Sequence, residues 1–281
     1  MPRLLPATGA VCLGFLLGLM LAPMVFGTEP GSAGPSNSGG TGAASQLMTA
    51  GEDMPSADST PSSVTPSANK ESPSPQESAT EEEKTRAEKA DERAGVRDRE
   101  VPDSADGDLD IVSGGQDAPD PDADRTVSVR VEVEAGLPVD GEAFAEFALE
   151  TLNDSRSWSA DGALSFARTD GEAEFRLILV SPEKVNDLCA PLRTLGRYSC
   201  ANEGRAVINA LRYAQATEEF LDAGGSHTLY RQYVVNHEVG HLLGHDHQPC
   251  PGEGESAPVM QQQTISLNGC RPTGWPHPEK K

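Results

Sequence analysis

His237-Glu238-Val239-Gly240-His241-Leu242-Leu243-Gly244-His245-Asp246-His247 is the stretch on which the reading of this chain turns. His237 and His241 are four apart, so on an α-helix both rings fall on one face, one turn apart. Two rings so placed can reach a single cation at about 2.0–2.1 Å. Glu238 sits beside the cation position but off it, where a carboxylate can take a proton from an attacking water and pass it to a leaving amine. Gly244 tolerates the left-handed conformation that ends a helix. The chain can then turn so that His247 approaches from outside. Three His ligands leave one coordination position open, as in catalytic rather than structural zinc sites. The candidate set is His237, His241 and His247 for one Zn2+, with Glu238 as general base. His245, directly after the glycine, is the rival third ligand. Four of the six His of the chain lie in these eleven residues. His227 and His277 read as surface residues, and Asp246 as a solvated one.

Outward from the motif, the hydrophobic pattern predicts a helix over 226–243 that carries it. Upstream, Thr126-Val127-Ser128-Val129-Arg130-Val131-Glu132-Val133 alternates strictly with period two, as a half-buried strand does. A helix is expected over 139–153 with Asp140 as N-cap. Further strands are expected over 163–168, 174–180, 197–201 and 205–211. The order of strand, helix, several strands and long helix describes an α/β (α+β) domain over 125–281.

The remainder reads differently. Residues 27–124 contain no Phe, Tyr or Trp, and hold seven Lys and Arg against 22 Asp and Glu, a net of −15 out of the −22 of the chain. A segment so poor in apolar groups is expected to stay a disordered acidic Ser/Pro-rich linker over 28–124. Residues 81–100 have helix-forming composition but no apolar stripe, which is marginal for an isolated helix. The Asp-rich piece 103–124 does not follow the EF-hand ligand order. No basic cluster is present, which argues against a nucleic-acid partner. Residues 1–27 pair a short basic start with an uncharged apolar run of 17 residues, 10–26, which reads as a signal peptide or a membrane anchor. The domain is therefore expected to be extracytoplasmic, secreted or anchored to the membrane through this segment. Cys12 lies inside the run. Cys189, Cys200, Cys250 and Cys270 remain, an even number that suggests two disulfides. Of three pairings the two local ones, Cys189–Cys200 and Cys250–Cys270, are favoured. No C-x₂-C spacing supports a second zinc site.

The motif H-E-x-x-H-x-x-G-x-x-H resembles the signature of the metzincin zinc peptidases. In Ala257-Pro258-Val259-Met260 the chain is also similar to their second signature, a tight turn bearing Met below the zinc, which makes Met260 the candidate Met-turn residue. Gln262 stands where some metzincins place a further Tyr ligand, so that role is absent. No cysteine-switch prodomain motif is present. The last 155 or so residues also resemble an uncharacterised family of actinobacterial envelope proteins, through Ser157-Trp158, the motif itself, Cys250-Pro251-Gly252, Pro258-Val259-Met260-Gln261-Gln262 and Gly274-Trp275-Pro276.

The resemblance implies a metzincin-like zincin domain: a twisted mixed sheet with an antiparallel edge strand, packed on the active-site helix. The short strand near Cys200 would be that edge, pinned by Cys189–Cys200. It implies an exported zinc-dependent metalloprotease, an endopeptidase and a monomer, acting on peptide or protein substrates. Two alternatives use the same residues: a zinc amidase acting on cell-wall peptides, and a cell-envelope binding module stabilised by zinc.

Overall fold

In the computed structural model, residues 75–280 are described. The signal or anchor segment, Cys12 and the expected linker up to residue 74 lie outside them. The elements in chain order are α1 (Pro75–Arg93), β1 (Leu109–Ile111), β2 (Arg125–Glu134), α2 (Gly141–Leu152), β3 (Leu164–Arg168), β4 (Phe175–Val180), α3 (Pro182–Cys189), β5 (Cys200–Asn202), β6 (Arg205–Asn209), α4 (Ala210–Gln215), α5 (Glu218–Asp222) and α6 (His227–Leu242). The fold is mixed α/β. No described helix is long and apolar enough to cross a membrane.

The six strands form one mixed sheet in the order β1-β2-β4-β6-β5, with β3 also pairing β2. Ten-residue β2 is long enough to pair β3 through Arg125–Val129 and β1 through Glu132–Glu134. The β2–β3, β2–β4 and β4–β6 pairs are parallel, whereas β1 and β5 run antiparallel to their neighbours. The short strand at Cys200 is thus an antiparallel edge, and Cys189–Cys200 ties it to the end of α3.

The period-two pattern does what it implies. Val127, Val129, Val131 and Val133 of β2, Leu177 and Leu179 of β4, and Ala206 and Ile208 of β6 face one core with α2 and α6. The alternate residues Ile178, Val180 and Val207 face the other side, where Val185 of α3 and the Cys189–Cys200 bridge cover them. Beyond α3 that second face is polar: Glu132 is buried between Arg130 and Arg176, with contacts of 2.8 and 2.5 Å. Asp140 caps α2 by accepting from the Ala143 N–H, as expected.

The linker boundary is corrected. From α1 onward the chain is not a linker but part of the domain. Ala94 and Val96 are buried in the main core. The hydroxyl of Tyr213 donates to the Ala94 carbonyl at 2.9 Å. Arg231 of α6, fully buried, donates to Asp91 at 2.7 Å and to the carbonyl of Tyr213 at 3.0 Å. Asp91 also takes a two-pronged contact from Arg99, at 2.7 and 3.0 Å. Burial alone would raise the Asp91 carboxyl, but the hydrogen bonds from Arg99 and Arg231 outweigh it and hold it below its ordinary value. Gly95, at φ +75°, passes so close to α2 that a Cβ there would lie 2.4 Å from the Asp140 carbonyl. Composition missed this segment because charge and backbone do much of the docking, with a few small aliphatics, Ala94, Val96, Val101 and Val112, packed against the core.

Removing one partner of a buried ion pair costs about 3–5 kcal/mol, whereas exposed pairs contribute about 0–1 kcal/mol. Asp91→Asn in the full chain is therefore expected to cost about 3 kcal/mol in urea unfolding. Arg97→Ala, which removes an exposed pair with Asp140, should cost less than about 1 kcal/mol. Equal losses would show that residues 75–124 are not held by the Asp91–Arg231 contact.

Candidate metal centre

Helix α6 starts at Ser226, whose hydroxyl accepts from the Leu229 N–H. From Tyr230 to Gly240 it is buried on almost every side. A helix in that position needs a partner for every polar side chain. Asn236 meets the need twice, accepting from Ser157 at 2.7 Å and donating to the Gly274 carbonyl at 2.8 Å. Trp158 donates its indole N–H to the Asn236 carbonyl at 2.9 Å.

Gly240 explains the close packing below the motif. A Cβ on it would lie 2.5 Å from the Met260 sulfur and 2.7 Å from Trp158. Only glycine lets both approach.

The helix ends as the glycine spacing predicted. Gly244 adopts φ +91°. Its N–H donates to the His241 carbonyl and that of His245 to the Gly240 carbonyl, both at 3.0 Å. This is the paired bonding of a Schellman turn, which reverses the chain. His247 thereby comes back to the helix, with its Nε2 3.1 Å from that of His241. One ring nitrogen from each of His237, His241 and His247 lies within 4.8 Å of the other two, so these three could hold a metal ion.

Two tautomers follow from the hydrogen bonds. His237 Nδ1 is 2.8 Å from the Val259 carbonyl, and His241 Nδ1 is 2.8 Å from the His245 carbonyl. A carbonyl only accepts, so both rings carry their proton on Nδ1 and keep the Nε2 lone pair free for a cation. Burial pushes His237 down to about 3, so it stays neutral, the form a metal needs. Burial also lowers His241 and His247. A tetrahedral zinc about 2.0–2.1 Å from each nitrogen would hold them roughly 3.3 Å apart, close to the His241–His247 spacing. The donor set fits that ion.

His245 is not part of the triad. Its ring stacks on Trp158 with centroids 4.3 Å apart and 14° between planes, while its backbone carbonyl orients His241. His227 is not a free surface residue either: it is half-buried, with its Nε2 3.1 Å from an Arg99 nitrogen.

Glu238 is buried, lines the same cavity, and has no hydrogen-bond donor among the described residues. Burial pushes its carboxyl up to about 8. Met260, 1 % exposed, sits under Gly240, and its carbonyl accepts from the Gln248 N–H, joining the third-ligand strap to the turn. The Cys250–Cys270 disulfide is formed and encloses that turn.

The cavity of about 520 Å³ is walled on another side by Leu192, Tyr198 and Cys200, and by Gln262 and Ile265 beyond Met260. Residue spacing pointed to the triad, Glu238 and Met260. It did not show Ser157, Trp158 and Asn236 acting together, since their link spans 78 positions. The signal that could have found it was a lone Trp in a polar Ser-rich stretch, one of only two in the chain.

Residues 97–273, well over half of the chain, match the family described as Protein of unknown function (DUF3152). The chain belongs to that family. No curated protein and no solved structure matches it. The matched segment of this DUF3152 protein begins within the region expected to be linker, in keeping with the packing of residues 94–124.

Two outcomes test the centre. His247→Ala is expected to lose stoichiometric divalent metal by elemental analysis, and His245→Ala to retain it; the reverse would reassign the third ligand. The second concerns the metal-free protein. Glu238 holds its proton up to about pH 8 when folded but releases it near 4.5 when unfolded. Its contribution to stability is thus present below about pH 4.5 and lost as pH rises towards 8. In chelator, Glu238→Gln should melt higher than the parent near pH 8 and gain little near pH 5. Equal gains at both would mean that the carboxyl is not a desolvated, unpartnered acid.

Proposed function

We propose that this chain is a zinc-dependent metallopeptidase of the metzincin type, an endopeptidase acting outside the cytoplasm. The observation that carries this reading is the buried, unpartnered Glu238 carboxylate beside three converging His nitrogens. A purely structural metal site has no use for such a base. Holding a carboxyl in that largely buried position with no protein donor, open only to the cavity, costs stability, and proton transfer gives that cost a purpose.

A bound zinc ion would supply a Lewis acid at the reacting carbonyl. His237, His241 and His247 would hold it, with the Val259 and His245 carbonyls fixing two of the rings. With the positive charge of the ion beside it favouring the ionised carboxylate, Glu238 would take the proton of the attacking water and deliver it to the leaving amine. A mostly parallel sheet with an antiparallel edge at β5, and a buried Met under the motif helix, support the metzincin-like zincin fold. The free side of β5 suits addition of an extended peptide through main-chain hydrogen bonds. Two disulfides favour an oxidising compartment.

The test uses zinc-loaded protein, a proteome-derived peptide library and purified peptidoglycan. The parent should cleave peptides. Glu238→Ala should keep one zinc and lose activity by about 10²–10⁴-fold, the usual range for a general base. Full activity in that variant removes Glu238 from the reaction. Cleavage of peptidoglycan alone would make the chain a cell-wall amidase.

A further inference from the structure

Four large apolar side chains are strongly exposed among the described residues: Ile111, Leu192, Leu195 and Ile265, at 45, 54, 61 and 49 %. Two of them stand by one cavity, and a third lies in the same loop as one of these. Leu192 and Ile265 line the space in front of Glu238 and the His triad, and Leu195 is three residues on from Leu192.

The segments bearing them are pinned. The loop between α3 and β5 is closed by Cys189–Cys200. Asn186 accepts from the Thr194 hydroxyl and the Gly196 N–H, each at 2.8 Å. Asn209 donates to the Gly196 carbonyl at 3.0 Å. On the other segment, Thr264 pairs with the Tyr230 hydroxyl at 2.8 Å. Glu219 accepts from the Ser266 hydroxyl and the Leu267 N–H, at 3.0 and 2.8 Å. The disulfide and these polar contacts thus hold the segments so that the exposed side chains stay in water, where an apolar group of that size is unfavourable. Such an arrangement is accounted for by an occupant that covers it.

We propose that the cleft selects extended peptides with bulky apolar side chains flanking the bond at the His triad, one held against Leu192 and another against Ile265. This rests on the peptidase reading and adds its substrate class. A bilayer is disfavoured as the occupant, because Leu192 and Ile265 are walls of a concavity that also exposes Asp246 and His247, and a flat surface cannot reach them.

The experiment separates binding from hydrolysis. Full-length, zinc-loaded Glu238→Ala is titrated into two labelled peptide pools of equal length and charge, one with Leu or Phe at the two central positions and one with Ser or Asn. Fluorescence anisotropy should show the apolar pool binding at least about tenfold tighter. Leu192→Ser and Ile265→Ser in that background should each weaken apolar binding about five- to tenfold, the scale of covering half a side chain. Ile111→Ser, on the opposite end of the sheet, should change nothing. Equal binding of the two pools, or unchanged binding in both cleft variants, overturns the proposal. So does binding to phosphatidylglycerol vesicles that Leu192→Ser and Ile265→Ser abolish without any discrimination between peptides. Parent protein is assayed alongside. Hydrolysis of both pools at equal rates keeps the peptidase reading and overturns the selectivity. Selective binding without hydrolysis keeps the selectivity and overturns the peptidase reading.

Discussion

The missing side chain of Gly240 is the constraint on which this site depends. Because nothing projects there, Met260 and Trp158 pack against the backbone of α6 at distances that a Cβ would forbid. Met260 brings Val259 with it, and the Val259 carbonyl fixes His237. Trp158 brings the stacking surface for His245, whose carbonyl fixes His241. The outer contacts of two of the three candidate ligands thus trace to one contact patch. An alanine at 240 would push on both supports at once, in a core too dense to absorb the displacement.

The sequence made part of this legible. The four-residue His spacing, the helix stop at Gly244 and the alternation in β2 are local, and local patterns translate directly into periodicity. The caps at Asp140 and Ser226 read the same way. What stayed hidden is non-local. Asp91 docks α1 through Arg231, 140 residues away, and no window of sequence shows that a buried arginine on α6 needs a carboxylate. Residues 75–124 fall in the stretch that composition assigns to a linker, because low hydrophobicity usually predicts failure to fold. Here the core is already built by β2, α2 and α6, so polar anchors, a short strand on β2 and a few small aliphatic contacts suffice to hold the segment on it. Eight-residue α3 and the shorter α4 and α5 lack the length for a periodic signal.

Glu238 differs from its neighbours on the same helix in one respect. Arg231 and Asn236 are as deeply buried, and each is met by several partners. The fold therefore can satisfy polar groups in this helix, and does so on either side of Glu238. Leaving one carboxylate bare, and aiming it into a solvent-connected cavity, is a local departure from the rule that the rest of the helix obeys. Departures of that kind collect where chemistry is done.

The two disulfides divide the support of the cavity between them. Cys189–Cys200 closes the loop that carries Leu192, and Cys250–Cys270 closes the ring that carries Met260 and Ile265. The segments between these cysteines are mostly irregular, with few ladder hydrogen bonds of their own. A closed loop of about 21 residues removes roughly 3 kcal/mol of chain entropy from the unfolded state. The main core, by contrast, lies almost wholly outside both rings and rests on helices and parallel strands. The covalent links are therefore concentrated where regular structure is thinnest, around the groups that must hold their positions to within fractions of an ångström for a cation and a peptide to meet.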